Sequence, residues 1–190
     1  MKLGRARRSG PAREDAGAGA APSAASLELA RRPRRELEDA LLRGHMPDLG
    51  QLAGWEFRGM NTPPWARAAR IRKFVKGFER REGGQIFGYN RPAGQNRDEE
   101  PWVVAGEPFG WYRVTAVDAT DRDNAYLHAA LLDYGRGGNR PWDPSRGLRD
   151  YLVQVDPANP DLYLGKACYA LGPVRLAVSF FVLERLRRAP

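Results

Sequence analysis

From residue 50 onward, short runs rich in Val, Leu, Phe, Tyr and Trp recur along the chain, each closed by Gly, Pro, Asn or Asp. They occupy 54–60, 71–79, 85–90, 111–117, 126–134, 150–156, 161–170 and 174–184. Runs of strand length at this spacing predict an antiparallel sandwich or barrel. Two of them alternate cleanly. In VRLAVSFFVLE the even positions Val174, Leu176, Val178, Phe180 and Val182 share one face, and in DLYLGKACYA so do Leu162, Leu164, Cys168 and Ala170. The LGP between them predicts a hairpin. A register joining 170 to 174 keeps even positions opposite even ones, so both apolar faces agree, and this face is expected to look into the interior.

Ahead of the strands, SLELARRPRRELEDALLRGH predicts one helix, with Pro33 in a first helical turn and Gly44 as a left-handed stop. Leu37, Ala40 and Leu41 form an i, i+3, i+4 stripe with Leu42 on its margin, which needs a larger body to pack on. Residues 1–25 have no apolar periodicity and no aromatic side chain, so they are expected to form a disordered basic tail. The plan is therefore a tail over 1–25, a packed helix over 26–46 and an antiparallel β-barrel domain over 47–190. Two polar loops, NRPAGQNRDEEPW and DATDRDN, interrupt the strand series.

Composition changes this picture little. A formal charge of +8 would suit an anionic partner, reached through the basic tail, although arginine-rich, alanine-rich and glycine-rich coding bias explains the same balance. One cysteine, Cys168, excludes an internal disulfide and a multi-cysteine zinc site, and its apolar surroundings predict a buried thiol. No stretch reaches the roughly 18 apolar residues of a membrane-spanning helix. The AGAGAAPSAAS segment makes a poor signal core, so a soluble cytoplasmic protein is expected.

Candidate chemistry is sparse. GRGGNR at 135–140 has neither the Lys-Ser/Thr of a phosphate loop nor a following long helix, and its glycines and asparagine predict a turn. His45 and His128 are the only histidines, so no multi-histidine metal site forms, and His128 is expected on a strand face beside Tyr126, Ala130 and Leu132. Ser179 lacks a nucleophile elbow. The carboxylates Asp133, Asp150, Asp156 and Glu184 are scattered near strand ends, and spacing pairs none of them. Charges on apolar faces are more informative, because lysine and arginine are rarely buried without partners. Lys166 shares a face with Leu162, Leu164 and Cys168, and Arg149 with Tyr151, Val153 and Val155. Lys73 and Lys76, in RIRKFVKGF, suggest a curved edge strand guarded by its lysines.

LAGWEFRG at 52–59, entering the first strand, resembles the opening of lipocalin-like (calycin) barrels of the bacterial G-x-W-x-G type. IRKFVKGF and LRDYLVQVDPANPDLYLGKA…SFFVLER look similar to the same group. The resemblance implies a tryptophan closing the barrel base, here Trp55, with a late arginine over it, Arg185 or Arg187. It also implies a cup for one apolar or amphipathic ligand. The expected fold is a mainly β, lipocalin-like barrel of about eight strands with one helix against it. A curved α+β cone of the cystatin-like kind, its concave face filled by the helix, is the second choice. The expected ligand-binding residues are Trp55, Phe57, Trp111, Tyr134, Tyr151 and Phe180, with Arg149 and Lys166 as polar anchors. The expected ligand is a small amphipathic, possibly acidic, metabolite or lipid, held without cofactor or metal. Two alternatives stand beside binding. One is an enzyme moving protons with Lys166, His128, Asp133 or Tyr134, and the other is an interaction module with a filled core.

Overall fold

The computed structural model describes residues 20–190. Eight antiparallel strands close into a barrel in chain order. They are β1 (Trp55–Asn61), β2 (Lys73–Arg80), β3 (Ile86–Pro92), β4 (Phe109–Ala116), β5 (Ala130–Asp133), β6 (Leu148–Gln154), β7 (Leu162–Leu171) and β8 (Val174–Arg188), with β8 pairing back onto β1. Each apolar run has become a strand. Closure removes sheet edges, so the edge-guarding role expected of Lys73 and Lys76 has no place here. The concave cone is likewise excluded.

The helical segment forms two helices rather than one, α1 (Ala24–Arg31) and α2 (Arg34–Arg43). Pro33 lacks an N–H and forces the residue before it out of the helical region; Arg32 and Pro33 are both extended, with ψ of 144° and 155°. Ser23 caps α1 by accepting from the Ser26 N–H at 3.1 Å. The expected stripe is buried: Leu37, Ala40 and Leu41, joined by Leu29 and Ala30, while Leu42 stays exposed. Gly44 ends α2 with φ of −66°, not left-handed; the glycine is required for space, because a Cβ there would lie 2.4 Å from Val153 Cγ2. Residues 20–25 of the expected tail are docked. The Ala20 carbonyl accepts from Arg58 at 2.6 Å, and the Ser23 N–H donates to Glu184. The rest of that tail, 1–19, lies outside the described residues.

Much of the barrel wall is covered on both faces. Outside, α1 and α2 pack with Leu164, Cys168, Phe180 and Val182 in one apolar cluster. Inside, Phe57, Phe78, Tyr112, Leu132, Leu152, Tyr163, Phe181 and Leu183 form another. Leu162, Leu164, Lys166 and Cys168 of β7 share a face with Phe180 and Val182 of β8, as expected, but that face lies under the helices and not in the barrel, while Val174 and Leu176 pair with Leu171 and Tyr169 on the opposite face and stay exposed. Their register also differs from the 170-to-174 pairing. The two-residue turn Gly172–Pro173, with Gly172 at φ +57°, joins Leu171 to Val174, and a bulge between Ala167 and Cys168 restores even-to-even pairing from Lys166–Phe180 onward.

A further cover comes from the first polar loop. Trp102 is buried on the outside of β2, its indole N–H donating to the Phe74 carbonyl at 2.9 Å. The Lys73 ammonium lies 3.8 Å from that ring and donates to the Arg97 and Glu100 carbonyls at 2.8 and 3.0 Å.

Candidate functional site

The barrel interior has two unlike halves. At one end Phe57 meets Phe78 and Tyr163 edge to face, with ring centroids 5.4 and 5.5 Å apart, and Phe78 meets Tyr112 at 5.8 Å. The short helix α3 (Leu49–Leu52) lays fully buried Leu52 over this stack. Trp55 completes the closure, between Arg188 at 3.8 Å and Arg185 at 4.4 Å from its ring centroid. The other end opens into a cavity of about 430 Å³. Phe74, Ala167 and Phe181 form its walls, and Trp65, Ile71, Phe109 and Val178 stand around its mouth, each substantially exposed.

Where the halves meet, four polar side chains gather. Lys76 comes from β2, Asn90 from β3, Asp150 from β6, and Tyr134 from the 3₁₀ turn (Tyr134–Arg136) after β5; all four are buried. The Lys76 ammonium donates to Tyr134 Oη at 2.5 Å, Asn90 Oδ1 at 3.0 Å and Asp150 Oδ2 at 3.1 Å. Tyr134 donates to Asp150 Oδ2 at 3.2 Å, and the Asn90 amide donates to the Gly110 carbonyl at 2.9 Å and to Tyr134 Oη at 3.1 Å. The rings of Tyr112, Tyr134 and Phe181 surround the ammonium at 4.7, 5.1 and 5.2 Å. Burial lowers the Lys76 pKa from the ordinary lysine range, with the charge of Asp150 pulling the other way. Burial and the same carboxylate push the Tyr134 hydroxyl well above its ordinary value.

Local sequence explains how each group is held. Lys76 sits between Phe74 and Phe78, and Asp150 between Leu148 and Leu152, so alternation aims both charges inward. The GRGGNR segment is the turn expected of it, and its work is to hold Tyr134. Asn139 donates to the Tyr134 and Trp111 carbonyls at 2.9 and 2.6 Å and accepts from the Trp111 N–H at 2.8 Å. Gly137 permits that approach, since a Cβ there would lie 1.9 Å from the Trp111 carbonyl oxygen. A rotation into the interior also needs room: Tyr112 lies over Gly88, where a Cβ would come within 2.3 Å of its ring.

Of the residues expected to bind a ligand, Tyr134 reaches the cluster, and Trp55 and Phe57 build the closed end. The other five lie on the outer face. Trp111 stacks on Tyr89 at 5.3 Å, and Tyr151 lies against Tyr126 at 5.0 Å. Phe180 packs in the helix-covered cluster. Arg149 pairs with Asp123 at 2.9 Å and Asp133 at 3.1 Å, away from the cavity. Lys166 projects under α2, donating to Glu38 at 2.7 Å and to the Tyr126 hydroxyl at 2.5 Å. It is an ion-paired strut for the helix rather than a cavity anchor. Burial opposes both charges of this pair. The mutual hydrogen bonds, aided by Tyr126, outweigh burial, so Glu38 is held below and Lys166 above its ordinary pKa.

His128 lies in the turn before β5, its Nε2 2.9 Å from the Leu41 carbonyl, and Asp133 accepts from the Gly135 N–H at 2.8 Å as a turn cap. Neither lines the cavity. Lys76, Asp150 and Asn90 were missed as site residues. For Lys76 and Asp150 the available signal was a charge flanked by apolar residues two positions away on both sides; Asn90, between Gly88 and Pro92, carried none.

A larger groove, about 550 Å³, lies outside the barrel between the α1–α2 elbow and the connection from β1 to β2. Several of its arginines are paired: Arg31 with Glu99, and Arg67 and Arg72 with Asp98. Among the described residues no group of three or more His, Cys, Asp or Glu side chains gathers as a metal site, and no helix is long and apolar enough to cross a membrane. The chain matches no protein-family model and none of the curated proteins.

Proposed function

We propose that this protein is a lipocalin-like binding protein that holds one small amphipathic ligand in the open half of its barrel. The observation carrying this reading is the cavity of about 430 Å³ with aromatic walls, which ends on a buried Lys76–Asp150–Tyr134–Asn90 cluster. Eight-stranded barrels either fill with side chains or keep room for one small molecule, and this barrel is filled at one end only. An apolar body would lie along Phe74, Ala167 and Phe181 and its polar end would meet the cluster. Trp55 between two late arginines at the closed base, Arg185 as expected and Arg188, supports the lipocalin comparison. Binding suits the cluster better than proton transfer. Its lysine already donates three hydrogen bonds, and its tyrosine's proton is committed to Asp150.

The test uses N-phenyl-1-naphthylamine, an uncharged probe whose fluorescence rises in apolar surroundings. Saturable one-to-one binding is expected, and Ala167→Trp, which fills the cavity, should abolish it while the far-ultraviolet circular dichroism stays native. Absence of saturable binding, or binding indifferent to Ala167→Trp in a folded variant, would overturn the proposal.

A further inference from the structure

We infer that the ligand presents a hydroxyl group, and not a carboxylate, to Asp150. This rests on the binding role of the cavity and follows from the hydrogen-bond capacity of the cluster at its inner end. An ammonium has three protons, and Lys76 commits all of them, to Asn90, Tyr134 and Asp150. The Tyr134 oxygen accepts from Lys76 and Asn90 and its proton goes to Asp150 Oδ2. Both amide protons of Asn90 are used. Asp150 Oδ1 alone is left: it is buried and accepts no hydrogen bond. Its residue lines the cavity.

A buried carboxylate oxygen without a donor is unfavourable, so the open capacity of this site is for one donor. At the cluster an incoming carboxylate would meet no free proton, and it would add a second negative charge where Lys76 and Asp150 already balance. An ammonium would reach the oxygen but leave an excess positive charge in the same enclosed space. A hydroxyl supplies one proton and no charge. At the inner end of the cavity the acid group suggested by sequence therefore gives way to the hydroxyl of an alcohol or phenol.

The experiment is isothermal titration of the full chain at neutral pH with 2-naphthol, 2-methoxynaphthalene and 2-naphthoate, which share one ring system. A hydrogen bond to a charged acceptor corresponds to about tenfold or more in affinity, so 2-naphthol should bind at least about tenfold tighter than either of the others. Naphthoate binding as tightly as naphthol, or the methyl ether doing so, would overturn the hydroxyl assignment and leave the binding role intact. Failure of all three to bind would overturn the binding role itself. In the double variant Lys76→Met/Asp150→Leu, which removes both charges together, naphthol and its methyl ether should bind within about twofold of each other. A preserved tenfold preference there would place the partner of the hydroxyl elsewhere and overturn the assignment.

Discussion

Along β2, Phe78, Lys76 and Phe74 lie on one inward face, and in those five positions the barrel passes from a sealed end to an open one. At the sealed end Phe57, Phe78, Tyr163 and Leu52 pack on one another, and the one polar atom among their side chains, the Tyr163 hydroxyl, donates to the Pro160 carbonyl at 2.7 Å. At the open end a lysine and an aspartate are held out of water beside a cavity. Apolar packing of the same volume would serve stability as well or better, since desolvating two charges offsets much of their attraction. The sealed end is accounted for by folding. The open end carries a feature that folding does not require, and this is why the binding site is placed there.

The contrast sets the order of expected effects. Lys76→Met should cost about 3–5 kcal/mol in urea denaturation, because Asp150 stays buried without its counter-charge. The double variant Lys76→Met/Asp150→Leu should recover most of that loss. A single variant as stable as the native protein would mean that Asp150 reaches water or a proton, and the two ends would no longer differ. At the sealed end Leu52→Ala should cost about 2–5 kcal/mol, the range for a buried leucine, without altering probe binding at the far mouth. Lost binding in a folded Leu52→Ala protein would show the halves to be coupled.

A smaller effect is expected outside the barrel. Lys166→Met should lower stability by about 1 kcal/mol, because its partner Glu38 remains partly exposed and can be hydrated. The sign with pH follows from the two shifts. Glu38, lowered from 4.5, contributes above that value and loses its contribution as pH falls through its folded pKa. Lys166, raised from 10.5, contributes below that value and loses it as pH rises through its folded pKa. The native-minus-variant difference in melting temperature should be flat between these limits and shrink at both extremes. A difference unchanged at strongly acid pH would deny the ion pair. Least of all, Trp65→Ala at the exposed mouth should change stability by no more than about 0.5 kcal/mol.

These two regions also explain what sequence could and could not disclose. All eight strands were legible from apolar runs and their closing Gly, Pro, Asn and Asp residues. The inward direction was not. A barrel wall covered outside by two helices and a folded-back loop is apolar on both faces, so alternation groups side chains without saying which group is inside, and the β7–β8 bulge breaks even that grouping at Val174 and Leu176. Lys166 between Leu164 and Cys168 carries the same pattern as Lys76 between Phe74 and Phe78. One meets Glu38 from a helix and the other Asp150 from across the barrel, and those partners are set by tertiary structure. The break at Pro33 was not foreseen for a local reason, since a proline suits a first turn equally well before one helix or between two.

The most direct test of the central claim is an amide chemical-shift map of the full chain titrated with a binding-competent naphthol. The account predicts perturbations concentrated around Lys76, Asn90, Tyr134 and Asp150 and along the cavity walls at Phe74, Ala167 and Phe181, with the sealed end around Phe57 and Leu52 unmoved. Perturbations confined to the outer groove at the α1–α2 elbow, or to the sealed end, would contradict it.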